Sequence, residues 1–234
     1  MALPKPVRPE YSTTLPSTGK KIKYQPFTVK EEKILILAAE SQDLDEIGNA
    51  ISNVLGNCIS SPSDIKIEDL ALFDIEYLFL KARAKSVGET VTVRITDPED
   101  EYTTTKDIKV DQIKVQKTEG HTDLIDVNET TKVKMSYPGL SFFAEGLKVD
   151  TIVDSLETVA KCVQTLVIDE EEYNRADLSE EEIVEWLEGL MNGDLTKIME
   201  FFNTMPKLKH TVKCKNPNTG NDFSVVLEGL ADFF

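Results

Sequence analysis

The stretch Leu72-Phe73-Asp74-Ile75-Glu76-Tyr77-Leu78-Phe79-Leu80-Lys81-Ala82-Arg83-Ala84-Lys85-Ser86-Val87-Gly88-Glu89 is the densest apolar run in the chain. Leu72, Ile75, Leu78 or Phe79, and Ala82 recur at helical spacing. Tyr77 and Leu80 widen the stripe, so this helix is expected to touch neighbours on more than one side. Asp74 and Glu76 sit near its start, and Lys81, Arg83 and Lys85 near its end, the order that suits the helix dipole. Gly88 stands where a left-handed cap is wanted. Alternation begins at once in Thr90, Val91, Thr92, Val93, Arg94 and Ile95. A buried helix that feeds straight into a strand reads as a domain core, not as a catalytic motif.

Upstream, three prolines among residues 2–9 predict an extended arm, either loose or laid along a partner. A hairpin follows, with Pro16-Ser17-Thr18-Gly19 as its turn. Thr28-Val29-Lys30-Glu31 is a capping box that opens a helix running to about Glu40. Asp43 caps a second helix, with Gly56 as its expected stop.

Downstream, residues 89–138 change to strand periodicity, with Asp97-Pro98-Glu99-Asp100 as a turn and Thr131-Lys132-Val133-Lys134-Met135 as a later strand. A helix is then expected from about Ala144 to Val167. Ser179 with Glu182 forms another capping box, Asn192-Gly193 is read as the stop of that helix, and Asp194 as the cap of the next. Leu208, His210, Val212 and Cys214 alternate with Lys207, Lys209, Thr211 and Lys213, which gives a C-terminal hairpin turning at residues 216–220.

The expected fold class is therefore α+β. Residues 1–88 form an arm, a hairpin and a small helical bundle; 89–140 a small antiparallel β-sheet; 141–206 a helical region with an acidic segment; and 207–234 a C-terminal hairpin with an aromatic tail. The four segments are either separate or one continuous domain.

The 234 residues are 40% hydrophobic and 29% charged, ordinary values for a soluble globular protein. No apolar run approaches the ~20 residues that span a bilayer, so no membrane association is expected. The start Met1-Ala2-Leu3-Pro4 carries no secretion core, which predicts a cytoplasmic product. Three scattered cysteines, Cys58, Cys162 and Cys214, fit a reducing compartment and buried thiols. The net charge of −16 argues against nucleic acid as a partner; Lys20, Lys21 and Lys23 are the best local basic candidates, and read more simply as a solvated hairpin.

No phosphate loop, nucleophile elbow or HExxH is present. His121, in a polar loop beside Asp123, is read as a loop hydrogen-bonding group. His210 and Cys214 fall two short of a structural zinc site, so no metal and no cofactor is expected. The sharpest charge feature is Asp169, Glu170, Glu171 and Glu172, followed by Asp177 and Glu180 to Glu182. It lacks the ligand alternation of a calcium loop. It reads as a solvated face, or as a rim that docks a basic partner. Phe233 and Phe234 close the chain where polar residues are usual, and are expected to anchor the tail, in this fold or in a neighbour.

Several long strings carry a resemblance. LFDIEYLFLKARAKSVGE at 72–89, LPSTGKKIKYQPFTVKEEKILILAAES at 15–41, EGHTDLIDVNETTKVKMSYPGL at 119–140, FFNTMPKLKHTVKC at 201–214 and VVLEGLADFF at 225–234 resemble, in order, the baseplate hub and hub assembly proteins of T4-like contractile-tailed bacteriophages. The resemblance implies a structural or assembly role, with other baseplate hub and tail proteins as partners and no catalysis. It implies assembly in the host cytoplasm, and leaves open whether the protein stays in the virion or leaves as a hub-assembly chaperone. The competing reading is a metal-dependent hydrolase built on the carboxylates with His121 or His210. Oligomeric state is open.

Overall fold

The computed structural model describes residues 6–145 and 152–233. The expected arm is therefore described only from residue 6, where Val7 is fully exposed and Arg8 Nη1 donates to Pro26 O at 3.3 Å. In chain order the elements are β1 (Tyr11–Thr14), β2 (Lys21–Tyr24), α1 (Val29–Ser41), α2 (Leu44–Cys58), β3 (Ile59–Ser61), α3 (Leu72–Ser86), β4 (Thr90–Thr96), β5 (Thr103–Lys109), β6 (Lys114–Gln116), β7 (Leu124–Asp126), β8 (Thr131–Met135), α4 (Ser141–Glu145), α5 (Ile152–Cys162), β9 (Val163–Ile168), β10 (Glu171–Asn174), α6 (Glu180–Glu188), α7 (Asn192–Thr204), β11 (Lys207–Lys215) and β12 (Asp222–Glu228). The fold is α+β, and every strand pairing is antiparallel.

The chain divides into two compact units, Met1–Gln116 with Lys207–Phe234, and Lys117–Pro206. In the first unit α3 is the central element. It packs against α2, β6 and β11, and Phe73, Ile75, Leu78, Phe79, Leu80 and Ala82 are all buried. Each large apolar side chain so buried contributes about 1.5–3 kcal/mol. Asp74 and Glu76 are buried as well, so they act as internal hydrogen-bond acceptors and not as solvent-facing partners of the helix dipole. The helix ends on Val87 in a right-handed conformation, one residue before Gly88.

Three sheets surround this helix within the unit: β1-β2-β3, β4-β5 and β12-β11-β6. Strands between residues 90 and 135 thus do not share one sheet. β4 and β5 form a ladder of their own, β6 adds to the C-terminal hairpin, and β7 and β8 belong to the second unit. β6 pairs with β11 across about 90 residues of chain, setting the half-buried Val115 opposite the buried Leu208, a pairing that local periodicity does not encode.

The hairpins β1-β2, β4-β5 and β11-β12 close with the same six-residue loop, at residues 15–20, 97–102 and 216–221. Proline holds the second position (Pro16, Pro98, Pro217), which presets its φ. The fifth residue is left-handed (Gly19 φ 71, Glu101 φ 60, Gly220 φ 75), and its N–H donates back to the first carbonyl at 2.9, 3.0 and 2.9 Å. Asn216 ties two of these loops together. Its buried Nδ2 donates to Asp97 Oδ2 at 2.7 Å and Asp100 Oδ1 at 2.8 Å, while its Oδ1 accepts from Asn218 N and Thr219 N.

The second unit pairs a four-stranded sheet, β10-β9-β8-β7, with α5, α6 and α7. Its core is built from Val133, Met135, Val159, Ala160, Leu166, Ile183, Leu187, Ile198, Phe201 and Phe202. Trp186 and Met199 pack partly buried against it, whereas Met191 is 74% exposed.

Both capping boxes form, at Thr28 with Glu31 and at Ser179 with Glu182, and Asp43 caps α2 through Asp45 N and Glu46 N. Three local expectations change. Gly56 does not stop α2, which continues to Cys58 because Cys58 and Leu55 are buried on the same face. Asn192 and Gly193 begin α7 instead of ending α6; Gly189 ends α6, and Asp194 lies in the first turn of α7, paired with Lys197 at 3.0 Å. The helix expected to reach Val167 ends at Cys162, and its first residues lie partly outside the described ones. The run Val163-Gln164-Thr165-Leu166-Val167-Ile168 is rich in β-branched residues and forms β9.

Candidate functional site

The acidic segment is a hairpin at a sheet edge. β9 pairs with β8 on one side and β10 on the other, which leaves β10 as the edge strand with every residue exposed. Ile168 opposes Glu171, so Asp169 and Glu170 alone form the loop, with φ of 50 and 69. Two left-handed residues in a two-residue loop is the geometry that favours Asn-Gly, because a Cβ there costs about 1–2 kcal/mol per residue. An acidic pair is kept at this tip despite that cost. Among the described residues, no lysine or arginine pairs with Asp169, Glu170, Glu171 or Glu172. Glu171 Oε2 accepts from the Tyr173 hydroxyl at 2.7 Å, and this bond pushes the phenol's pKa up. Charges on an edge strand also block stray strand pairing, so part of the segment's chemistry is protective.

The acids continue into α6. Glu180, Glu181 and Glu182 occupy its first turn, where the helix dipole favours them. Glu182 is engaged locally, accepting from Ser179 N at 2.8 Å. Lys117–Pro206 holds 20 of the 42 acidic residues but 7 of the 26 basic ones, a net −13 against −3 for the rest of the chain. The chain's charge is therefore concentrated in the unit that carries this hairpin.

The C-terminal tail is held inside the first unit. Gly229 turns the chain with φ +71, and a Cβ there would lie 3.0 Å from Glu76 Oε1. The next amide, Leu230 N–H, donates to that oxygen at 3.0 Å, and burial raises the Glu76 pKa to about 7. Phe233 is 1% exposed, so its ring fills the core of this unit and offers no surface to a neighbour in this state. Phe234 lies outside the described residues. Glu228 bridges Lys207 and Lys209 at 2.9 Å each; burial works upward on its carboxyl, but the two lysine hydrogen bonds hold it below the ordinary value.

His121 is a structural group. Thr204 Oγ1 donates to Glu200 O at 2.7 Å, so His121 Nδ1, 3.0 Å away, carries the proton and donates to it. Nε2 then accepts from the Tyr137 hydroxyl at 3.1 Å, and the ring packs against both Tyr137 and Phe201, which also stack on each other. Burial first, and Lys117 second, lower its pKa, which favours this neutral form. Non-local partners of this kind carry no sequence signal. The three thiols are buried and free; burial pushes Cys58 up to about 11 and Cys162 to about 12. Among the described residues no three His, Cys, Asp or Glu converge as a metal cluster, and no helix is long and apolar enough to cross a membrane.

A family profile, T4 bacteriophage base plate protein, matches residues 8–234. The chain belongs to that family. No curated protein and no solved structure matched it. As a member of this family the chain has a structural or assembly role in the phage tail baseplate, and its partners are other baseplate and tail proteins.

Proposed function

We propose that this baseplate protein acts at the hub, joining hub subunits by protein–protein binding and without catalysis. The observation that carries the reading is the exposed run Asp169, Glu170, Glu171 and Glu172 at the tip and edge of β9-β10, free of lysine or arginine partners among the described residues. Exposed rim charges set on-rate and partner choice more than raw affinity, which suits ordered addition of subunits. Phe233 anchors the tail within its own unit, and Phe234 is left as the tail residue that meets a neighbour. Assembly takes place in the host cytoplasm, the protein stays in the tail baseplate, and nucleic acid is not a ligand.

The test is a pull-down of tagged protein from infected cells, with the bound tail proteins identified. Reversal of Glu170 and Glu172 to lysine is expected to abolish capture of hub subunits while the fold is retained; undiminished capture refutes the docking role. The second reading, a chaperone that releases the hub on completion, is favoured by the same exposed charge, because such contacts dissociate readily. Mass spectrometry of purified virions separates the two, since stoichiometric copies in mature particles are incompatible with release.

A further inference from the structure

Helix α1 is apolar on two sides. Glu31 and Ala38 turn inward, with Ile34 and Leu35 half-buried beside them, and this side packs on α2. At 3.6 residues per turn, Val29, Lys33, Ile36, Leu37 and Glu40 lie on the opposite side within an arc of roughly 100°. All five are exposed, Val29 at 80%, Ile36 at 52% and Leu37 at 54%. A helix with one wet side usually carries polar residues there. Among the described residues, neither Lys33 nor Glu40 has an ion pair. The pattern of this outer side repeats itself on reversal. Its midpoint falls between Ile36 and Leu37. Lys33 and Glu40 stand ~5 Å before and after it on one line along the helix, and Ile36 and Leu37 flank that line. A two-fold axis through the midpoint, perpendicular to the face, carries Ile36 onto the place of Leu37 and Lys33 onto that of Glu40.

We propose that the outer side of α1 pairs antiparallel with α1 of a second copy of this chain, Ile36 against Leu37 and Lys33 against Glu40, each contact made twice. Charge selects both the occupant and its direction. The same strip supplies a lysine and the glutamate that the lysine meets. In a parallel pair Lys33 would face Lys33 and Glu40 would face Glu40, and like charges across a contact disfavour that arrangement. The apolar side chains gain by leaving water, and the two ion pairs fix orientation more than strength. α1 has 13 residues, so the strip is ~20 Å long and ~10 Å wide. It offers less than the ~800 Å² per partner of a standard interface, which makes the dimer a weak one. Two chains of net −16 repel as whole bodies, but the Debye length is ~8 Å at physiological salt, which screens charges away from the contact. The contact is isologous and closes at two copies. It uses none of the acids of β9-β10 and lies in the first unit, so it stands apart from the hub-docking reading.

The test is sedimentation velocity of the full chain over a concentration series at ~0.15 M salt. The parent is expected to pass from monomer to dimer, and no further, as concentration rises through the micromolar range. Ile36→Glu with Leu37→Glu should weaken the dimer about tenfold or more. Lys33→Glu alone and Glu40→Lys alone should each weaken it roughly threefold to tenfold. The first makes the chain more negative and the second less so, so a loss in both does not come from whole-body repulsion. Combining Lys33→Glu with Glu40→Lys should restore the dimer, because the antiparallel pairing is then rebuilt with its charges exchanged. All four side chains are exposed, and circular dichroism checks that each variant folds. The proposal is overturned if the parent stays monomeric at every concentration, if any of the three weakening variants dimerises as the parent does, or if the exchanged pair fails to recover. A monomeric parent whose Ile36→Glu, Leu37→Glu variant loses hub subunits in the pull-down would assign this side of α1 to another protein, and would equally end the proposal.

Discussion

Glu76 contributes more stability to the first unit in acid than at neutral pH, opposite in sign to the carboxyls of Glu31 and Glu228, whose pKa values are lowered. Its side chain is 7% exposed on α3, and Oε1 accepts from the buried Leu230 N–H at 3.0 Å. Burial is the largest cause that lifts its pKa from 4.5 to about 7, and nearby Glu228 adds to the lift. The folded chain therefore holds this proton between about pH 4.5 and 7 while the unfolded chain releases it. Stability from this group is fully present below pH 4.5 and is lost as pH rises through 7. At about 1.4 kcal/mol per pK unit, the loss across the window is on the order of 3 kcal/mol. Glu76→Gln keeps the shape and the acceptor but cannot ionise. At pH 8 it should be more stable than the parent by about 1–3 kcal/mol, the lower end allowing for a weaker neutral hydrogen bond. At pH 4.5 the two should match. Urea unfolding followed by circular dichroism from pH 4.5 to 8 measures this, and the fluorescence of Trp186, which sits in Lys117–Pro206, gives a reference from the other unit. Asp74 is also buried with a raised pKa, so both proteins keep some slope of the same sign. The reasoning fails if parent and variant show the same slope through the window.

Three further outcomes follow from named contacts. Ser17→Ala removes the hydroxyl that donates to the buried Asp74 carboxylate, and should cost about 1–3 kcal/mol in urea unfolding. Asn216→Ala removes the side chain shared by two hairpin loops; a cost of similar size, about 1–3 kcal/mol, is expected, with faster hydrogen exchange at Thr219 N and Glu99 N. Glu101→Gly relieves a left-handed residue at φ 60 where the two sister loops carry glycine, and should raise the melting midpoint through a gain of about 0.5–1 kcal/mol.

Where the determinants are local, the sequence is readable. Capping boxes, proline-led loops and the apolar run at 72–89 each place their element to within a residue or two. Reading falters where a decision is made by distant residues. β9 looks like the end of a helix because its apolar residues also satisfy helical spacing; its β-branched content was the available signal against that. Its turn carries no glycine or asparagine, so Asp169 and Glu170 announce a charge cluster and not a hairpin. The acids at 169–172 were legible as a surface, but the edge position that exposes all of β10 was not, since it depends on β9 choosing β8. Likewise Thr204, which accepts from His121, and Leu230, which donates to Glu76, lie 83 and 154 residues away from them.

Buried polar groups occur in both units, but the densest run of exposed acids lies in the second. In the first unit the polar atoms taken out of water lock loops to the core: Ser17 to Asp74, Asn216 to Asp97 and Asp100, Leu230 to Glu76. A buried carboxylate left without such a partner would cost about 1–3 kcal/mol or more, so each contact holds its loop or tail in one position. The loops therefore act as internal fasteners, and the tail is fixed by Phe233 inside the same core. In the second unit Asp194 is buried and paired with Lys197, but the acids of β10 and of the first turn of α6 are outside, where they gain nothing from burial. Self-repulsion among them destabilises their own fold slightly. Against that repulsion stands the protection that charges on an edge strand give against stray strand pairing, so the acids on β10 oppose aggregation at a small cost in folding stability.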